Sequence, residues 1–136
     1  MTTQELVTDL EGPSAKEVNG RAALEELVPG IAGLIDASVG ELSPATARRI
    51  YENIWGDVYA TSPLSTRDLT IAAIGGLTAM GGAETNLNLQ AAIALRVGLT
   101  PSDIVAIIEH AATYAGFPRS QAALQAVRGV LESPKA

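Results

Sequence analysis

Three times along this chain a hydroxyl residue stands where a helix has reason to begin. Ser43 precedes Pro44, Ser65 stands three residues before Asp68, and Thr100 precedes Pro101 with Asp103 close behind. A Ser or Thr oxygen can accept a hydrogen bond from an orphan N–H of the first turn, and proline at the first helical position loses no bond the helix would have made. An acidic residue at the third position suits the positive end of the helix dipole, and Thr100 with Asp103 has the form of a capping box. Glycines fall where the same helices must stop, at Gly81-Gly82, Gly98 and Gly116, because glycine enters left-handed backbone without a steric penalty. Apolar residues between these marks recur at three- and four-residue spacing, with no strand-like alternation. The pattern predicts an all-α chain.

Met1 to Asn19 is polar and broken by Gly12-Pro13-Ser14, which is the expectation for a flexible leader or an arm that docks on a neighbouring subunit. A single helical domain is expected over 20–133. Ala22, Leu24, Leu27 and Val28 form its first amphipathic piece, and Ile31, Leu34 and Ile35 a second after Pro29-Gly30. Pro44 opens a helix through Ile50, Ile54 and Val58. The next runs from Arg67 to Met80 and is expected to bury Leu69, Ala73, Ile74 and Leu77. Helices over 84–97 and about 101–115 follow, and a last one over about 119–131. Gly75-Gly76 and Gly81-Gly82 do not form a phosphate loop, since both lack the preceding strand and the motif spacing.

The 136 residues are 47% hydrophobic but only 4% aromatic and 18% charged. The apolar weight therefore lies in Ala, Leu, Ile and Val, more than one small core needs, and the excess points to a homo-oligomer interface. A net charge of -6 opposes nucleic-acid binding, which needs clustered Lys and Arg. No run approaches the roughly 20 apolar residues of a membrane span. The first twelve residues lack a secretory signal's basic start and apolar stretch, so a cytoplasmic location is expected. The chain has no cysteine and one histidine. This removes thiol nucleophiles and thiolate metal sites, and it argues against a catalytic zinc site, so neither metal nor cofactor is expected.

Few residues remain that can carry chemistry. His110 lies mid-helix with Tyr114 one turn later on the same side; its imidazole can exchange protons at neutral pH, or it can be a packed histidine bonded to a backbone carbonyl. Asn86 and Gln90 are four apart on a stripe continued by Ile93 and Val97, which either lines a pocket or lies near the surface. Arg67 gains nothing from the dipole in the first turn of its helix. It can grip a carboxylate substrate or pair with an acidic residue such as Asp57 or Asp68. Trp55 and Tyr59 are one turn apart and form either a pocket wall or core.

The segments Trp55-Gly56-Asp57-Val58, Leu64-Ser65-Thr66-Arg67-Asp68-Leu69, Ala94-Leu95-Arg96-Val97-Gly98-Leu99-Thr100 and His110 through Pro118 resemble the carboxymuconolactone decarboxylase family, over roughly 20–131. The resemblance implies an all-helical subunit of that type, assembled as a trimer or hexamer, with pockets between packed helices. Its better-known branches decarboxylate a lactone acid or, with a Cys-x-x-Cys pair and a His, reduce peroxides. By position, the family's site histidine falls on Gln90, the glutamate one turn before His110 falls on Ala106, and the paired cysteines fall near Ala83 and Asn86. A thiol peroxidase is thereby excluded. An amide in place of histidine keeps a hydrogen bond but moves no proton.

These readings lead to a cofactor-free enzyme of the lyase, isomerase or cyclase kind, acting on a carbonyl- or lactone-containing metabolite of a specialised pathway. His110, Gln90, Asn86 and Tyr114 are its expected catalytic residues, and Arg67, Trp55, Tyr59 and Ile93 its expected substrate-binding ones. The alternative is a catalytically silent relative that serves as a ligand-binding or scaffolding subunit. Convergence of Asn86, Gln90 and His110 on one cavity would favour the enzyme, and divergence the scaffold.

Overall fold

The computed structural model describes residues 12–133. Every regular element among them is helical, so the chain is all-α. Contacts gather within two units that divide between Ser62 and Pro63.

The first unit opens on α1 (Ala15–Leu27), whose cap is Ser14, with its side chain accepting from Glu17 N at 3.1 Å. Residues 15–19 of the expected leader or docking arm are thus part of a helix. Ser14, read as part of a chain break, is the cap, and the first turn is polar because it is exposed. Residues 1–11 of that expected leader lie outside the described ones. The short α2 (Ile31–Ile35) has no cap side chain of its own. Glu25 of α1 supplies one, accepting from the backbone N–H of Gly30 and, at 3.0 Å, of Ala32. Those two donors hold the Glu25 carboxyl below its ordinary value.

A π-helical turn (Asp36–Gly40) leads on from α2, and α3 (Pro44–Arg49) follows under its expected Ser43 cap. The helix then widens into nine π-helical residues, Ile50–Val58, and closes with α4 (Tyr59–Thr61). The π-helical stretch packs on α1 at very short range. A Cβ on Gly20 would lie 2.0 Å from the Tyr51 carbonyl oxygen, and one on Gly56 2.1 Å from the Lys16 carbonyl oxygen. Only glycine allows the two backbones to meet there. Leu24, Tyr51 and Trp55 are buried in this unit.

The second unit is four longer helices: α5 (Thr66–Met80), α6 (Glu84–Arg96), α7 (Pro101–Ala115) and α8 (Phe117–Glu132). Their ends follow the sequence signals. Ser65 accepts from Asp68 N, Thr100 and Asp103 form a reciprocal capping box, and Gly81, Gly82, Gly98 and Gly116 all have positive φ. The last helix begins two residues before the expected start because Pro118, read as a breaker, sits in its first turn, where proline fits.

The core of this unit is Ile74, Leu87, Ala91, Ala94, Leu99, Ile104, Ile108, Ala123 and Val127. On α5, Ile74 is buried as expected, but Thr70 and Thr78 are the other buried residues, and Leu69, Ala73 and Leu77 are only partly covered. The two threonines tolerate burial because each hydroxyl donates to the carbonyl one turn back, Thr70 to Thr66 at 2.6 Å and Thr78 to Ile74 at 2.7 Å. Ser120 of α8 donates to the Ile108 carbonyl of α7 at 3.1 Å and ties those helices together.

Candidate functional site

The two units carry different kinds of polar arrangement. In the first, Arg21 makes a fork to Asp36, its Nη1 lying 3.2 Å from Oδ1 and its Nη2 against Oδ2. The Tyr51 hydroxyl lies 2.9 Å from Asp36 Oδ1 and 3.1 Å from the Ala32 carbonyl, and the Arg21 guanidinium sits 5.0 Å from the Tyr51 ring centre. Burial, reinforced by the neighbouring Asp36 carboxylate, pushes the Tyr51 hydroxyl up to about 12. The Arg21 guanidinium holds the Asp36 carboxyl below its usual value. Beside them Arg48 bridges Glu17 at 3.4 Å and Glu52 at 3.0 Å, and Ser14 donates to Glu52. Glu17, Arg21, Asp36, Arg48 and Tyr51 border a hollow of about 380 Å³, but their charges are already engaged within this network. Nothing in the local sequence pattern marks this network; it exists because α1, α2 and the π-helical segment are brought side by side.

The second unit holds the larger cavity, an open groove of about 660 Å³ between α5 and α7. On α5 the stripe Arg67, Ile71, Gly75, Ala79 and its neighbours Ala72 and Gly76 face it. On α7 the stripes Asp103, Ile107, Ala111 and Ala106, His110, Tyr114 do, and Leu99 completes it. Residues three and four apart share a helix face, so two packed helices present two such stripes to one space. Its lining is mostly apolar and small, with charge at the Arg67–Asp103 end and the imidazole and phenol further along α7.

His110 is exposed on this groove, which sets aside the reading of a packed histidine bonded to a carbonyl. Its ring meets that of Tyr114 edge to face, with centroids 5.6 Å apart and planes at 75°. Tyr114 is 83% exposed. The salt bridge considered for Arg67 is absent among the described residues; Asp57 pairs instead with Lys16 at 3.5 Å. Asp103 lies near enough for the Arg67 charge to add to the lowering of its carboxyl, but the main cause is the hydrogen bond from Thr100 N, at 2.9 Å.

The groove thus brings together Arg67, His110 and Tyr114 and leaves out five other expected site residues. Asn86 is exposed near the start of α6, and Gln90 one turn on is 9% exposed, so the two do not share one environment. The packed face of α6 begins at Leu87, and Asn86 stands before it, which is why a stripe drawn from spacing alone joined them. Gln90 Oε1 is buried without a hydrogen-bond partner. Ile93 is wholly buried. Trp55 and Tyr59 stack at 4.3 Å in the first unit, and Trp55 is 4% exposed, as a core residue is. Divergence of Asn86 and Gln90 from His110 is the outcome that favours a non-catalytic role. Sequence reasoning also missed residues that line the groove. Asp103 reads only as a cap, and the sign that Gly75-Gly76 does more is that two adjacent glycines sit inside a helix that continues through them to Met80.

The second unit is all-helical, and its groove between two helices is mostly apolar, with charge at one end and an imidazole further along, the general form of concave small-molecule pockets. The chain belongs to the carboxymuconolactone decarboxylase family, whose model matches residues 44–129. No curated protein shows significant similarity to it. Among the described residues no group of three or more His, Asp or Glu is placed to hold a metal ion, and no helix is long and apolar enough to cross a membrane.

Proposed function

We propose that this family member is a cofactor-free enzyme of the lyase, isomerase or cyclase kind, acting in the cytoplasm on a carbonyl- or lactone-containing metabolite as a homo-oligomer. The observation that carries the reading is that the only histidine of the chain stands exposed on the groove of about 660 Å³, with Tyr114 against its ring and, at the other end, an arginine that forms no ion pair among the described residues. In this reading His110 takes or gives the proton as the substrate's carbonyl becomes an enol or its carboxyl leaves. Tyr114 limits the rotation of the imidazole and offers a hydroxyl to the developing oxyanion. Arg67 holds an acidic group. Ala106, where the family has a glutamate, leaves His110 as the groove's proton carrier and widens the space before it.

The second reading, a ligand-binding or scaffolding subunit without catalysis, is favoured by one observation: Asn86 and Gln90 do not join His110 on the groove. An NMR time course in D2O separates the two. The probes are 9-oxodecanoate, followed by deuterium entry beside its ketone, and 4-carboxymuconolactone, followed by loss of its carboxyl group. We expect the intact protein to accelerate deuterium entry over a no-protein control, and His110→Ala to lower that acceleration roughly 100- to 10,000-fold. Neither exchange nor decarboxylation by a folded sample would establish the silent reading. Undiminished exchange in His110→Ala would remove His110 from the mechanism.

A further inference from the structure

The shape of the groove, taken as the reaction site just proposed, says what class of molecule fills it. Gly75 and Gly76 lie within α5 with ordinary helical φ, so backbone conformation requires neither glycine. Nor does packing. A Cβ on Gly76 would meet nothing within 4 Å, and one on Gly75 only Ile107 Cγ2, at 4.0 Å. Both residues lower the stability of the helix relative to alanine. What the pair provides is room: Gly75, Gly76 and Ala106, all on the groove, put nothing larger than a methyl group into it, and the walls beside them are the apolar Ile71 and Ile107.

The two ends differ in chemistry. At one stands Arg67, a cation in the first turn of a helix, where the dipole disfavours it. It forms no ion pair among the described residues, and the carboxylate beside it, Asp103, is turned to the backbone N–H of Thr100. At the other stand His110 and Tyr114. Asp103, close to Arg67, and His110 are seven residues apart on α7, which at a rise of 1.5 Å per residue sets their backbones about 10 Å apart along the helix.

We propose that the groove takes an elongated, largely apolar molecule carrying one carboxylate, held by Arg67, and a carbonyl about 10 Å away that reaches His110. A compact diacid fits poorly: its carboxylates are too close together to use both ends, and the second would approach Asp103. The bidentate geometry of guanidinium and carboxylate sets the orientation, so the carbonyl arrives at the imidazole instead of at the entrance.

The test measures binding by calorimetry and needs no turnover, so it can fail independently of the catalytic reading. The probes are 9-oxodecanoate, its methyl ester and the short keto acid 4-oxopentanoate. Wild-type protein is expected to bind 9-oxodecanoate roughly tenfold or more tighter than its methyl ester, the worth of one charge-assisted hydrogen bond, and at least as much tighter than 4-oxopentanoate, which keeps the carboxylate but lacks the apolar chain that fills the groove. Arg67→Gln should erase the preference for acid over ester and leave ester binding in place. Gly76→Leu should weaken acid and ester together by filling the middle of the groove, with helicity retained by circular dichroism. Because the chain has one histidine, a single imidazole Cε1–H resonance reports the far end, and it should shift with 9-oxodecanoate more than with decanoate.

Equal binding of acid and ester, or an acid preference that survives in Arg67→Gln, overturns the anchor. Equally tight binding of 4-oxopentanoate overturns the spacing. No binding by a folded sample, with light scattering showing association that Gly76→Leu disrupts, would mean that a second copy of the chain covers the groove. Tight binding without deuterium exchange would sink the catalytic reading and leave this one standing.

Discussion

Gly56 and Gly76 both sit inside helices, and they do opposite work. At Gly56 in the first unit, the backbone of α1 comes so close that a Cβ would lie 2.1 Å from the Lys16 carbonyl oxygen. At Gly76 in the second unit, a Cβ would meet nothing within 4 Å. One glycine closes a helix crossing, and the other keeps a groove open. The same contrast runs through the polar groups: Arg21, Arg48, Asp36 and Glu52 of the first unit are engaged with one another, whereas Arg67 and His110 of the second face open space. Charges engaged with one another, as in that network, serve stability, whereas a cation with no ion pair among the described residues and an exposed imidazole are available for a ligand.

The largest effect should come from closing the wrong space. Gly56→Ala is expected to cost about 3 kcal/mol or more, at the upper end for an overpacked site, because the obstacle is backbone and cannot swing aside. Urea denaturation measures it, and an unchanged midpoint would show that the crossing can relax and that the two glycines are alike after all. Tyr51→Phe comes next. It removes the hydroxyl shared between Asp36 and Ala32 and should lower stability by roughly 1–2 kcal/mol with little change in the groove's ligand binding. A change in binding as large as the change in stability would break the division of roles.

The same alanine substitution at the other glycine should have the opposite sign. Gly76→Ala is expected to raise stability by about 0.5–1 kcal/mol, the ordinary gain of alanine over glycine in a helix, while weakening 9-oxodecanoate binding. A loss of stability would mean that the position is packed in solution.

Acid provides the smallest and most local contrast. Asp36, Glu25 and Glu52 of the first unit all have carboxyls held below their ordinary values, by the Arg21 hydrogen bond, by the backbone donors of Gly30 and Ala32, and by Ser14 and Arg48 respectively. A lowered folded-state value means stability that is fully present above the unfolded value and is lost as pH falls through the folded one. Below the ordinary values of 3.8 for Asp36 and 4.5 for the two glutamates, amide protection in 12–62 should fall before protection in 63–133, where Asp103 is the carboxyl held low. Hydrogen exchange followed by mass spectrometry reads this directly, and loss of both regions together would show one cooperative unit.

Much of the fold was legible because its marks are local. The caps at Ser43, Ser65 and Thr100 and the stops at Gly81, Gly98 and Gly116 each act within a few residues, so the sequence alone determined that the chain is helical and where α5, α6 and α7 lie, while the start of α8 at Phe117 was read two residues late. The widening of the helix at Ile50–Val58 and the start of α1 at Ala15 had no comparable signal. The candidate site was legible in part. His110 with Tyr114 is a one-turn relation, and Arg67 stood out for lacking a local reason.

Which of these residues share a space was decided only by tertiary structure. Spacing gives the angle between two side chains on one helix, but not the rotation of that helix against its neighbours. That rotation, set by how α5, α6, α7 and α8 bury Ile74, Leu87, Ala91, Ile104 and Ile108, turns Arg67 and His110 toward the groove. It buries Gln90 away from it and makes Gly75 and Gly76 the open middle of a cavity.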